Sequence, residues 1–194
     1  MSSSPLVLAS ASPRRVDLLR EAGFDFEIVV PQVEEAHDAT LTPEQLTVEN
    51  ARRKALAVSL FKPGALVIGA DTLVYVDGEP LGKPADMQEA LTMVRRLSGR
   101  AHEVCTGVAF ARDGRIEREL HVITHVMFKT LSDALILDYH SKLNPLDKAG
   151  AYGIQEHTEM LLERMEGSFT NVVGLPVDEV AAALRELSAA DPAP

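Results

Sequence analysis

The chain has 194 residues, with 19 Lys plus Arg against 29 Asp plus Glu and a formal net charge of −10. That length suits one domain with a self-sufficient core, and the charge argues against non-specific binding to DNA or to an anionic membrane. A single cysteine, Cys105, excludes a disulfide framework or a cysteine zinc site within one chain, and no Trp with only three Tyr and six Phe argues against a base-stacking platform.

In chain order, Pro5 to Ala9 is apolar and predicts a strand. It has no basic residue before it and is too short for a secretory signal, and no apolar run reaches the roughly 18–20 residues of a membrane span. With its lone cysteine, the chain is expected in the reducing cytoplasm. Ser12 is placed as an N-cap with Pro13 at the first helical position; Val16, Leu19 and Ala22 follow at helical spacing, and Gly23 ends the helix. Phe26 to Val30 predicts a second strand. Thr42-Pro43-Glu44-Gln45 is a capping box that opens a helix to about Leu60.

Ala65 to Ala70 predicts a buried strand, and a second apolar run covers Leu73 to Val76, so that Asp71 is expected at a strand end. Asp77-Gly78 signals a hairpin. Asp86 caps a helix ending at Gly99. Ala101 to Ala111 and Arg115 to Phe128 flank a second Asp-Gly and predict two long paired strands. Ser132 caps a helix to about Lys142, with Leu131 and Ile136 as a hydrophobic staple. Asn144 to Gln155 is expected to be irregular, Met160 to Met165 a strand, Gly167 to Pro176 a loop and Asp178 to about Ser188 the last helix. The expectation is one α/β domain over residues 1–188 with a mixed sheet, and a frayed tail over residues 189–194.

Four features carry chemistry. In Ser10-Ala11-Ser12-Pro13-Arg14-Arg15, two cations sit in the first turn of a helix, where they oppose the helix dipole. Free N–H groups, hydroxyls and guanidinium groups would converge there on an anion, most naturally a polyphosphate. The alternative is a helix start whose arginines reach surface carboxylates such as Asp17. Asp71 interrupts an apolar stretch, which suits a general base or metal ligand, or a turn aspartate. Lys54 lies at the edge of the Ala51–Ala55–Val58 stripe, while Arg52 and Arg53 point away; it is either a ligand-binding group or a snorkelling side chain. Lys83 sits in Gly82-Lys83-Pro84 after the hairpin. Asp147 to Gln155 holds small residues that let a backbone approach a ligand, or form an ordinary surface turn. There is no P-loop, dinucleotide fingerprint or nucleophile elbow. His121 and His125 share one face of a strand without a third ligand, so a histidine metal site is not expected, and Cys105 is expected as inert core.

These residues, in order, resemble the Maf family of septum-formation-related nucleotide pyrophosphatases. The resemblance is carried by residues 9–15 (ASASPRR), Val33-Glu34-Glu35, Ala51-Arg52-Arg53-Lys54-Ala55, Gly69-Ala70-Asp71-Thr72, Leu81-Gly82-Lys83-Pro84 and Arg96-Leu97-Ser98-Gly99. It closes with Asp147 to Gln155 and Gly167 to Pro176. It implies a Maf-like α/β fold similar to that of inosine triphosphate pyrophosphatases, a mixed twisted sheet flanked by helices around a cleft. It implies hydrolysis of a nucleoside triphosphate between the α and β phosphates, with Mg²⁺ or Mn²⁺ required and a homodimer common.

Carried onto this chain, the resemblance makes Asp71, Glu35, Lys54 and Lys83 catalytic, with Asp71 and Glu35 holding the metal. Ser10, Ser12, Arg14, Arg15, Thr72 and Gln155 then bind substrate. Arg14, Thr72 and Gln155 look like the branch acting on dTTP and UTP, with modified pyrimidine nucleotides as further substrates; a glutamine amide can pair with the N3–H and a carbonyl of uracil or thymine. Relatives usually carry glycine after that glutamine, whereas Glu156 and His157 stand here. The rival readings are a non-catalytic nucleotide-binding regulator of cell division and a pyrophosphatase for modified purine nucleotides.

Overall fold

The computed structural model describes residues 5–38 and 40–190. Its centre is a seven-stranded sheet. The strands are β1 (Leu6–Ala9), β2 (Glu27–Val29), β3 (Leu66–Val76), β4 (Glu79–Leu81), β5 (Ala101–Arg112), β6 (Arg115–Phe128) and β7 (Leu162–Glu166). Their order is β2-β1-β3-β5-β6-β7, with β4 also paired to β3. β1 runs parallel to β2 and β3, and the other pairings are antiparallel. Both Asp-Gly pairs turn hairpins, and all four residues adopt the positive φ that a tight two-residue turn requires.

The helices are α1 (Pro13–Glu21), α2 (Pro43–Ser59), α3 (Met87–Leu97), α4 (Asp133–Ser141), α5 (Thr158–Leu161), α6 (Phe169–Val173) and α7 (Val177–Ala190). The sheet separates two cores. On one face, Ala51, Ala55 and Val58 of α2 pack on Val7, Ala9, Val67, Ala109 and Ala111. On the other, apolar residues of α1, α3, α4 and α7 pack against Leu8, Ile68, Val108, Phe110 and Phe128. No described helix is long and apolar enough to cross a membrane.

β3 is one continuous strand, so Asp71 lies in its middle and not at a strand end. Asp71 and Thr72 keep their ladder positions opposite Gly107 and Thr106 of β5, and side-chain alternation sends the two to opposite faces. The other edge of β3 is divided. β1 pairs with Leu66 to Gly69 and β4 with Val74 to Val76, leaving Ala70 to Leu73 without a strand neighbour on that edge among the described residues. The gap opens at the carboxyl end of β1, the kind of crevice where open α/β sheets bind ligands.

Other boundaries differ from the sequence reading. His157, at φ 53°, starts the short helix α5, so strand β7 begins only at Leu162. That turn places Leu161 in the core, which strand periodicity does not require. The expected loop at Gly167 to Pro176 contains α6, capped by the Ser168 hydroxyl, which accepts from the Asn171 N–H. Asn144 to Gln155 is irregular as expected, apart from two 3-10 turns at Pro145–Asp147 and Ala149–Ala151. Ala189 and Ala190 belong to α7; residues 191–194 of the expected tail, like residues 1–4 of the opening segment, lie outside the described residues.

Candidate active site

A cavity of about 1070 Å³ opens at the gap in the sheet. Its walls come from the β1–α1 junction, the loop after β2, α2, the middle of β3, the β3–β4 hairpin and the segment from Asp147 to Glu156. Every site residue that the sequence singled out lines it: Ser10, Ser12, Arg14, Arg15, Glu35, Lys54, Asp71, Thr72, Lys83 and Gln155. Glu34, the neighbour of Glu35, does not.

The β1–α1 junction is built as an anion cradle. Pro13 starts α1, and Ser12 takes the N-cap position without its hydroxyl bonding the helix. The Ser12 N–H instead donates to Ser10 Oγ at 3.1 Å. The first-turn N–H groups therefore remain without a side-chain cap, which leaves them free for an anion. Arg15 reaches across the cavity floor, its Nε donating to Gly174 O at 2.8 Å and its Nη2 to Thr72 Oγ1 at 3.0 Å. Burial lowers its pKa from the ordinary arginine value, opposed by the carboxylates of Asp71 and Glu35. Arg14 makes no hydrogen bond or ion pair among the described residues, so the alternative pairing with Asp17 is not formed.

On the α2 face the charges are tightly coupled. Asp71 is 6% exposed. Its Oδ1 accepts from Lys54 Nζ at 2.7 Å and its Oδ2 from Asn50 Nδ2 at 3.1 Å. Lys54, buried and not snorkelling, also pairs with Glu35 Oε1 at 2.7 Å. One ammonium thus joins carboxylates from β3 and from the loop after β2. Arg52 and Arg53 point outward and pair with Glu119 and Glu49.

Lys83 stands exposed on the rim, and the preceding Gly82 O accepts from the Gly150 N–H at 3.0 Å. That bond brings the hairpin and the small-residue segment together. Gln155 is exposed, and its amide makes no hydrogen bond among the described residues. Thr72, by contrast, has its hydroxyl engaged by Arg15, Thr106 Oγ1 at 2.9 Å and Gly174 O at 3.3 Å. After Gln155 the positive φ falls on His157, not on Glu156. Glu156 Oε1 lies 3.6 Å from Lys148 Nζ.

Two site residues escape the sequence reading. Lys148 is buried in the cavity wall, with its Nζ 2.9 Å from Asp147 Oδ1 and 3.1 Å from Asn144 O. Asn50 is buried beneath Asp71. Its signal was spacing: it precedes Lys54 by four residues and shares that helix face. Elsewhere, His121 and His125 are exposed on β6. Cys105 is buried beside Thr47 Oγ1, and burial pushes its thiol up to about 11, so it is inert core.

Among the described residues, no three His, Cys, Asp or Glu side chains form a ready metal cage. The donor set nevertheless suits a hard divalent ion of the Mg²⁺ type. Such an ion is commonly held by one or two carboxylates together with substrate phosphates, and Asp71 and Glu35 supply two carboxylates facing one cavity.

The Maf-like protein family model matches residues 5–187. A dTTP/UTP pyrophosphatase of Symbiobacterium thermophilum is 51% identical over 172 residues, covering 89% of this chain and 88% of that protein. Another from Akkermansia muciniphila is 46% identical over 183 residues, covering 94% and 96%. Among solved structures, a HAM1 protein from Coxiella burnetii aligns with a TM-score of 0.57 at 17% identity, covering 94% of this chain and 98% of that one, a likeness of fold. The cavity is therefore set in a fold shared with the HAM1 protein, and over nearly its whole length the chain belongs to the Maf-like protein family.

Proposed function

We propose that the chain is a nucleoside triphosphate pyrophosphatase acting on dTTP and UTP. Water adds to the α-phosphorus, the bond to the bridging α–β oxygen breaks, and the products are the nucleoside monophosphate, pyrophosphate and one proton. The observation that carries this reading is the Asp71–Lys54–Glu35 chain of charges, set across one cavity from the uncapped start of α1. The pyrophosphatase names of the relatives at 46% and 51% identity support the substrate class.

In this mechanism the uncapped N–H groups of α1, with Arg14 and Arg15, bind the triphosphate. Lys83 on the rim and Lys54 below counter the charge that builds on the α-phosphoryl group and the departing pyrophosphate. Asp71 orients the attacking water and accepts its proton at a carboxylate oxygen. Lys54 and Asn50 fix the orientation of this carboxylate by donating to its two oxygens. Asp71 and Glu35 would hold Mg²⁺ or Mn²⁺, which when bound supplies charge neutralisation on the phosphates. Ser10 and Ser12 add hydroxyl contacts. Gln155, exposed in the cavity wall, selects the base by offering one donor and one acceptor to the pyrimidine edge. Thr72, whose hydroxyl accepts from Arg15, is the second base-selecting residue in this proposal. Catalysis by a homodimer is part of the same proposal.

The test is product analysis with Mg²⁺ or Mn²⁺ over dTTP, UTP, CTP, GTP, 7-methyl-GTP and dITP, resolved by ion-exchange chromatography. Monophosphate plus pyrophosphate, strongest from dTTP and UTP, is the expected result. Preference for dITP would establish the purine reading. Tight nucleotide binding without turnover by folded, metal-supplied protein would establish the regulator. Sedimentation velocity at micromolar concentration reports the dimer.

A further inference from the structure

We infer that Asn50 is a positioning residue: its side-chain amide docks the loop carrying Glu35 onto Asp71, so that the two carboxylates are presented to substrate as one unit. The inference rests on the hydrolase reading above.

Asn50 is 2% exposed and all of its hydrogen-bonding capacity toward the site is used. Its Oδ1 accepts from the Ala36 N–H at 2.6 Å, and its Nδ2 donates to Ala36 O at 3.3 Å and to Asp71 Oδ2 at 3.1 Å. The amide pairs with both backbone groups of Ala36, as a neighbouring strand would. The partners fix its orientation, because a flipped amide would set NH₂ against the Ala36 N–H.

The segment from Val30 to Asp38 has no regular secondary structure. Among the described residues, its hydrogen bonds and ion pairs to α2 and β3 are the Ala36–Asn50 pair and the Glu35–Lys54 contact. The second holds the loop through the Glu35 side chain itself, which is 47% exposed and joined to its backbone by rotatable bonds, so it does not fix the loop backbone. The Asn50 amide is directional and buried. It therefore sets where Glu35 stands relative to Asp71, although it touches no substrate itself. Asn50 and Lys54 lie one helical turn apart, so α2 presents the neutral clamp and the ammonium as a pair.

The test combines kinetics of Asn50→Ala and Asn50→Asp with backbone amide exchange. Asn50→Asp keeps the volume but sets a carboxylate against Asp71 and removes the donor to Ala36 O. Both variants are expected to lower kcat by about tenfold or more, and to raise the Mg²⁺ concentration for half-maximal rate by a similar factor. KM for dTTP is expected to stay within roughly threefold, since the cradle at α1 is untouched. In the wild type, exchange at the Ala36 amide is expected to be slowed relative to His37, and Asn50→Ala is expected to abolish the difference. Thr47→Ala, a buried change one turn earlier in α2, controls for loss of packing and is expected to leave kcat within about twofold.

A folded Asn50→Ala with kcat and Mg²⁺ dependence within about twofold of wild type would overturn the inference. So would equal losses in Thr47→Ala, or an unprotected Ala36 amide in the wild type, a readout that does not depend on any variant folding. A wild-type chain that hydrolyses no triphosphate sinks the hydrolase reading itself; protection of Ala36 then marks that failure as distinct from failure of the clamp.

Discussion

Lys54 reaches Asp71 at 2.7 Å because Gly69, two residues earlier in β3, lets α2 lie directly on the strand. A Cβ at Gly69 would stand 2.2 Å from Ala51 O and 2.7 Å from Ala55 N. Close packing of small residues and delivery of a cation to a buried carboxylate are therefore one structural event. The same close approach brings Asn50 to Asp71.

Asp71→Asn keeps the shape of this junction and removes the charge. An amide oxygen can still accept from Lys54, but it cannot take a proton from water. The variant is expected to lose about 10²–10⁴ in kcat while still binding nucleotide. Steady-state kinetics beside a nucleotide-binding isotherm checks this, and turnover near the wild-type value would remove Asp71 from its role. Lys54→Met instead strands Asp71 with only Asn50 as partner. Breaking a buried pair in this way costs about 3–5 kcal/mol, read as a lower urea midpoint.

Gly69→Ala is expected to damage stability and activity together. The added methyl meets backbone, which cannot swing aside, so α2 must shift. Overpacking of this kind typically costs about 1–3 kcal/mol. Since α2 carries Asn50 and Lys54, kcat should fall even where the variant remains folded. A variant that loses stability but keeps kcat would show that the site tolerates movement of α2.

Much of this site was legible because its local rules are broken in sequence. Arginines in a first turn, an aspartate inside an apolar run and a lysine at the edge of an alanine stripe each contradict the pattern around them, and each lines the cavity. Asn50, whose one signal was its spacing from Lys54, and Lys148, inside a segment noted only for its small residues, were given no role, because a lone Asn on a helix or a Lys in a turn breaks no local rule. The role of Asn50 appears only when the Ala36 backbone arrives from the loop after β2, and that of Lys148 when its own segment folds to bury it and brings Glu156 back to it. The fold divides in the same way. Capping signals and Asp-Gly turns located α2, α3, α4 and the hairpins, since these depend on neighbours in sequence. β3 appeared as two runs because apolarity, not backbone pairing, was visible; its continuity comes from Gly107 and Thr106 across the sheet. The short helices α5 and α6 depend on a left-handed His157 and on the Ser168 cap, in stretches too short for periodicity to register.

Stability should depend on acid through His102. Its Nε2 lies 2.8 Å from the Tyr152 hydroxyl, and the ring packs edge-on against Phe128 and Tyr152. Burial pushes its pKa down to about 4. In the unfolded chain the imidazole titrates near its ordinary 6.5, so between these values the unfolded state binds more protons. The contribution is fully present above about 6.5, falls as the pH drops toward about 4, and levels off below. The whole loss is on the order of 3 kcal/mol. Burial lowers His140 in the same direction, so the comparison must be with a variant. The stability gap between wild type and His102→Gln is expected to shrink between pH 7.5 and pH 4.5 in urea titrations. A constant gap would contradict the assignment.

Glu156→Gly tests the point where this chain departs from the expected glycine. The Glu156 carboxylate lines the cavity beside Gln155, 3.6 Å from Lys148, whose ammonium already holds Asp147 at 2.9 Å. Two carboxylates on one lysine leave this end of the cavity locally negative. A bound triphosphate is repelled by that surplus. The Glu156 side chain is 46% exposed, which limits its effect to the range of a solvent-screened charge, about 0.2–1 kcal/mol. Removing it should lower KM for dTTP and UTP by up to about fivefold at low salt, with less gain as salt rises. kcat should stay nearly constant, because Asp71, Lys54 and Asn50 do not touch Glu156. A fall in kcat with unchanged KM would instead mean that Glu156 orders Gln155 or Lys148 for the chemical step.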